Sequence, residues 1–221
     1  MNKISYIKAK TKYLYFFMLI GLGFLWTGAA YIAQAYRILN LFNGGKVNLL
    51  VCGAYYICQA AGIGAVGLLF AKRKAIAGGR LLPLSASVIS LVCTAWSLFT
   101  PLLTVVIATG ALLNLAIGAL SGCYLTRLAI NIPARRRGLV FGAAYAFGSI
   151  GTWLLSLPMG GRFLWHGSSF YAIVSLATLS LFFLQHLPPL PAIESPKYLQ
   201  SGPNLKAIWL ASAVLFLLSM E

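Results

Sequence analysis

Acidic side chains are almost absent from this chain. Of its 221 residues only Glu194 and Glu221 carry a side-chain carboxylate, against 17 lysines and arginines. A carboxylate pair for general acid–base work is therefore missing, and so is any carboxylate proton relay before residue 194. Charge of either sign is scarce, at 9% of residues, while 60% are hydrophobic. That balance excludes an ordinary soluble domain. Cysteine is also sparse. Cys52, Cys58, Cys93 and Cys123 show no CxxC spacing and have no histidine beside them, so neither a zinc site nor a disulfide framework follows. They read as small, mildly apolar helix residues. No phosphate-binding loop, nucleophile–base pair or metal cluster is visible, which points away from an enzyme and from any cofactor.

The hydrophobic residues lie in long runs. Residues 13–36, 47–70, 81–100, about 102–125, 139–158 and about 170–185 are six apolar segments, most of them near the ~20 residues that cross a hydrocarbon core. The first is too long for the apolar part of a signal peptide, which has 7–15 residues in general. Residues 187–204 form a linker rich in proline, and 205–221 begin a seventh span that stops short of a full crossing. The fold expected is an all-α membrane protein: a basic N-terminus (1–12), a six-span bundle (13–186), a linker, and a truncated seventh helix.

The net charge of +15 does not indicate nucleic acid, because the basic residues punctuate the apolar runs instead of sharing one surface. Lys3, Lys8, Lys10 and Lys12 precede the first span, and Lys72, Arg73, Lys74 and Arg80 follow the second. Arg127, Arg135, Arg136 and Arg137 follow the fourth, and Lys197 and Lys206 the sixth. Only Arg37, Lys46 and Arg162 fall in the alternate loops. Short loops retained on the cytoplasmic side collect Lys and Arg, so the N-terminus is expected inside a cell membrane.

Two of these basic loops resemble the major facilitator superfamily of secondary transporters. Its loop after the second helix reads roughly G-x-L-x-D-R-x-G-R-R. Here Gly67, Leu69, Lys72 and Arg73 stand in that stretch, and Gly79-Arg80 supplies a later Gly-Arg pair; Ala71 occupies the acidic position. The loop after the fourth helix is similar to P-x-x-x-R-G, as Pro133, Arg137 and Gly138, with Ile130 where an acid is usual. In the fourth span Asn114 to Gly118 keeps the glycine of R-x-x-Q-G-x-G and loses its arginine. Glu194-Ser-Pro-Lys-Tyr-Leu199 is similar to a short motif that sugar porters carry after helix six. The resemblance implies a bundle of two three-helix repeats, one half of a transporter that moves a small solute by alternating access. It also implies gating by the two loops, although the lost acids remove the family's charge latch.

By the same resemblance the first and fourth helices line a cavity. The candidate lining residues are Thr27, Tyr31 and Gln34 in the first span and Asn114, Gly118 and Ser121 in the fourth, each set on one helical face. Amides and hydroxyls at membrane depth need partners, which a cavity, a solute or a neighbouring helix supplies. Ser87, Ser90, Thr94 and Ser97 in the third span, and Tyr145, Ser149, Thr152 and Ser156 in the fifth, read as self-bonded helix residues. Gly53, Ala60, Gly64 and Gly67 make a small-residue face on the second span, suited to close helix approach or self-association. The partners expected are the bilayer, an unidentified small solute, and a second transporter half or another copy. A membrane-embedded sensor or anchor and an inactive fragment stay open as alternatives.

The charge asymmetry makes a topological test direct. A reporter fused within residues 73–79 or 135–137 should read cytoplasmic, and one at 43–46 or 162–167 external. A cytoplasmic signal from Gly44 would overturn the orientation.

Overall fold

Among the described residues six helices follow the six apolar runs. They are α1 (Lys3–Leu41), α2 (Gly45–Lys72), α3 (Leu81–Phe99), α4 (Leu103–Asn131), α5 (Ala134–Ser156) and α6 (Gly167–Gln185). The computed structural model describes residues 3–41, 45–73, 79–157 and 167–186; the linker and the seventh span lie outside them. Five helices are long and apolar enough to cross a membrane, and α6 contributes a shorter apolar stretch, Phe170–Gln185. This is the build of a multi-pass membrane protein. In lipid a helix bonds all of its own backbone groups, so apolar runs of this length have no cheaper conformation.

The helices outrun the apolar segments. Residues 126–138, expected as a loop, are almost all helical: α4 continues to Asn131 and α5 starts at Ala134. Pro133 forces the break between them, because it disfavours helix at the residue before it and needs no N–H at a helix start. The Arg137 guanidinium ties the corner by donating from Nε to the Ile132 carbonyl at 2.7 Å. The basic stretch before the first span is likewise part of α1 from Lys3 onward.

Short connections make successive helices run antiparallel. One end of the bundle therefore gathers the basic segments: Arg136 lies over the Tyr13 ring at 5.3 Å, and Arg127 Nη2 donates to Gly79 O at 3.4 Å. At the opposite end Arg37 Nη2 donates to the Thr100 carbonyl at 2.8 Å.

Helix α1 is the centre, packing on α5 and α6 and also on α4, α3 and α2. Its fully buried side chains include Phe16, Leu19, Ile20 and Trp26, which join Leu113, Leu120, Ile173 and Leu184 in the main core. Helix α4 packs on α2 and α3, and α3 on α6. The flanking helices α2 and α5 hide little: 17% of the most apolar window of each is buried, against 61% for α1.

Glycine sets how closely the helices approach. Where α2 crosses α4, a Cβ on Gly62 would collide with the Leu115 carbonyl, and one on Gly118 with the Gln59 carbonyl. Where α1 crosses α5, a Cβ on Gly148 would meet the Gly21 carbonyl and the Leu25 nitrogen, both at 3.3 Å. Within the bundle the small face expected on α2 is not the one packed against α4. Gly53, Gly64 and Gly67 have open space beside them, and Ala60 is exposed. Apolarity within a membrane segment does not say which face is inside, since lipid accepts both.

A pair of substitutions separates the two faces. Gly118→Leu should lower the unfolding free energy by about 1–3 kcal/mol or more, because overpacking meets a backbone that cannot yield. Gly64→Leu should leave it nearly unchanged. Thermal unfolding in detergent, followed by tryptophan fluorescence, makes the comparison, and equal losses would contradict this packing.

Candidate functional site

Between α1, α2, α4 and α5 lies an open cleft of about 340 Å³. Helix α1 supplies Phe24, Thr27, Gly28, Tyr31 and Ile32 to it, and α2 supplies Tyr56 and Gln59. Asn114 and Ile117 come from α4. The wall on α5 is Tyr145, Ser149, Thr152, Trp153 and Ser156. None of the described residues that line it is charged. The sets arise from helical spacing, since Tyr145, Ser149, Thr152 and Ser156 recur every three or four residues along one face of α5.

Of the six positions singled out on α1 and α4, three reach the cleft: Thr27, Tyr31 and Asn114. Thr27 Oγ1 donates to Gly23 O at 2.7 Å, and Asn114 Nδ2 to Gly110 O at 2.9 Å. Tyr31 packs its ring against Tyr56, with centroids 5.8 Å apart. The other three lie elsewhere. Gln34 is buried against α4, with Nε2 donating to Val106 O at 3.0 Å and Oε1 left without a partner. Tyr55 is its neighbour, and its hydroxyl donates to Ile107 O at 3.2 Å. Gly118 sits under the backbone of Gln59 as a packing glycine, and Ser121 is buried away from the cleft.

The polar stripe of α5 is brought to the cleft although its spacing alone reads as self-bonding. Both descriptions hold at Ser156, whose hydroxyl donates to Trp153 O at 2.7 Å while the residue lines the wall. Thr152 instead bridges to α1, donating to Leu25 O at 3.4 Å. The stripe of α3 is internal. Ser87, Ser90 and Thr94 donate to the carbonyls of Pro83, Ala86 and Ser90, and the Ser97 hydroxyl is buried without a partner.

The loop residues sit at the basic end, away from the cleft. Lys72 closes α2 and is exposed, as is Arg73, whose backbone N–H donates to Leu69 O at 2.7 Å. Gly67, Pro133 and Gly138 are exposed, and Arg80 stands exposed just before α3. Gly79 offers its carbonyl to Arg127. Sequence reading missed Arg127 as an internal residue: it is only 4% exposed, one turn beyond the buried Cys123 and Tyr124. The buried periodicity of α4 carries on through this position, and that was the available signal. Among the described residues no group of metal-binding side chains occurs. The histidine and tryptophan at 166 and 165 lie outside those residues, whereas His186 Nδ1 bonds Phe182 O at 2.8 Å.

Scans of known protein families, of curated proteins and of solved structures find no match to this chain.

Gln34 gives a test of structural against ligand-facing roles. Val106 lies inside α4, so its carbonyl keeps a helical partner when Gln34 is replaced. Gln34→Leu also removes an unpartnered amide oxygen, and the two effects oppose each other. Unfolding in detergent should change by less than about 1 kcal/mol. A loss above about 3 kcal/mol would mean that the amide oxygen has a partner such as buried water.

Proposed function

We propose that this bundle is one half of a secondary transporter of the major-facilitator kind, moving a small solute by alternating access, with its basic loops on the cytoplasmic side of a cell membrane. One observation carries the reading. Exchange α1, α2 and α3 for α4, α5 and α6 and the packing pattern nearly repeats itself. The pair α1–α5 becomes α4–α2, α1–α6 becomes α4–α3, and α1–α4 and α3–α6 map onto themselves. Of the substantial contacts only α1–α3 lacks a counterpart. Three helices per unit reverse the second unit across the membrane, which is how inverted repeats nest within each half of such transporters.

The cleft supports the reading by its position. It opens among α1, α4 and their two crossing partners, and discontinuous or polar sites in these folds lie at the interface of repeats. The thinly covered helices α2 and α5 flank it, where a second bundle would face it. Alternating access then means rocking of the two bundles about a site in this cleft. The basic loops hold the orientation, with Gly79 pinned by Arg127 in place of the acidic latch.

Two-sided access is the measurable signature of such cycling, and it does not require knowing the solute. In a background without native cysteines, Ser149→Cys should react with a membrane-impermeant maleimide in whole cells and again in inside-out vesicles. Ser90→Cys, buried in α3, should react in neither. Labelling of Ser149→Cys from one side alone would fit a static anchor or sensor and overturn the transport reading.

A further inference from the structure

Four polar side chains of the cleft turn their donors onto helix carbonyls. The hydroxyls of Thr27, Thr152 and Ser156 all donate to helix carbonyls, and a hydroxyl whose proton is committed presents only lone pairs to what lies in front of it. Asn114 is oriented by its own bond: Gly110 O can only accept, so the amide NH₂ points at α4 and the carbonyl oxygen points away. The lining donors not committed to a carbonyl in this way are the Gln59 amide, the hydroxyls of Ser149, Tyr31, Tyr56 and Tyr145, and the Trp153 N–H. The remaining wall is rich in aromatic rings, with Phe24, Tyr31, Tyr56, Tyr145 and Trp153. Aromatic faces and oxygen lone pairs have the same sign of potential, and among the described lining residues no lysine or arginine offsets them.

We infer that the cleft selects organic cations, ammonium ions carrying an apolar or aromatic body, and rejects anions. This rests on reading the cleft as the solute site. A cation gains from the rings and the lone pairs together. An anion would meet the ring faces and these lone pairs, with no cationic side chain among the described lining residues to offset them. A neutral polar solute loses no hydration of a charge, but it gains little from the rings' quadrupoles. The cleft is open rather than sealed, so a bound cation keeps part of its water and avoids the full cost of burial.

Three probes of one shape and different charge test this: phenethylammonium, 2-phenylethanol and phenylacetate. Binding is measured by equilibrium dialysis to the full chain in zwitterionic lipid nanodiscs, with empty nanodiscs subtracted. The cation should bind about tenfold more tightly than the alcohol, and phenylacetate should show no saturable binding. Tyr145 and Trp153 are 55% and 59% exposed, so trimming them leaves the fold intact. Tyr145→Leu and Trp153→Leu should each weaken the cation several-fold and barely affect the alcohol, whereas Tyr145→Phe should keep the preference. Equal binding of the three probes, tighter binding of the alcohol or acid, or no binding at all would overturn the inference. Its failure is distinct from that of the transport reading. Cation selectivity with one-sided labelling of Ser149→Cys removes transport and keeps the ligand class; two-sided labelling without selectivity does the reverse.

Discussion

Everything in this bundle depends on backbones that meet at glycine. In water, helices associate because burial removes apolar surface, but lipid tails are as apolar as leucine and that drive disappears. Within the described helices no carboxylate side chain is present to pair with, since Glu194 and Glu221 lie outside them. What remains is dispersion, which grows with the number of atoms brought to contact distance. Gly62 and Gly118 bring α2 and α4 to that distance, and Gly148 does the same for α5 against α1. The two crossings then leave a wedge between them, and the wedge is the cleft.

The same shortage of ions explains how the polar side chains are used. A hydroxyl in a membrane span needs an acceptor, and the nearest is the carbonyl one turn back. Thr27, Ser87, Ser90, Thr94 and Thr109 all take that carbonyl. In α3 the result is inert, because those hydroxyls face the core. In α1 and α5 the identical local bond sits on a cleft wall, where it turns the free lone pairs outward. One local rule has two consequences, and the surroundings decide between them.

Arginine is handled by the same logic. Arg37 places a guanidinium nitrogen on the carbonyl of Thr100, where α3 stops, and Arg127 places one on the carbonyl of Gly79, in the bend just before α3 begins. Arg137 does so at Ile132. A guanidinium is a rigid fork of donors, and carbonyl oxygens in turns and at helix C-termini lack intrahelical partners, so each of these bonds fastens a corner through the backbone. The corners are thereby tied at both ends of the bundle while its middle stays free of charge.

Composition and the long apolar runs by themselves determined that the chain forms membrane-crossing helices, how many of them are described, and about where they turn. Length in hydrocarbon and the cost of an unbonded peptide group admit no other answer for such segments. Spacing also placed Thr27, Tyr31 and Asn114 on faces that reach the cleft. Beyond that, periodicity was silent, because lipid and protein interior look alike to a side chain. Nothing local tells Gly64, which faces open space, from Gly62, which touches α4. Nothing local sets Gln34 against Val106 rather than in the cleft, or turns Ser149 toward it. Those outcomes depend on which helix face meets which neighbour. That is settled by contacts between residues such as Gly118 and Gln59, 59 positions apart in the chain, and only the assembled bundle contains them.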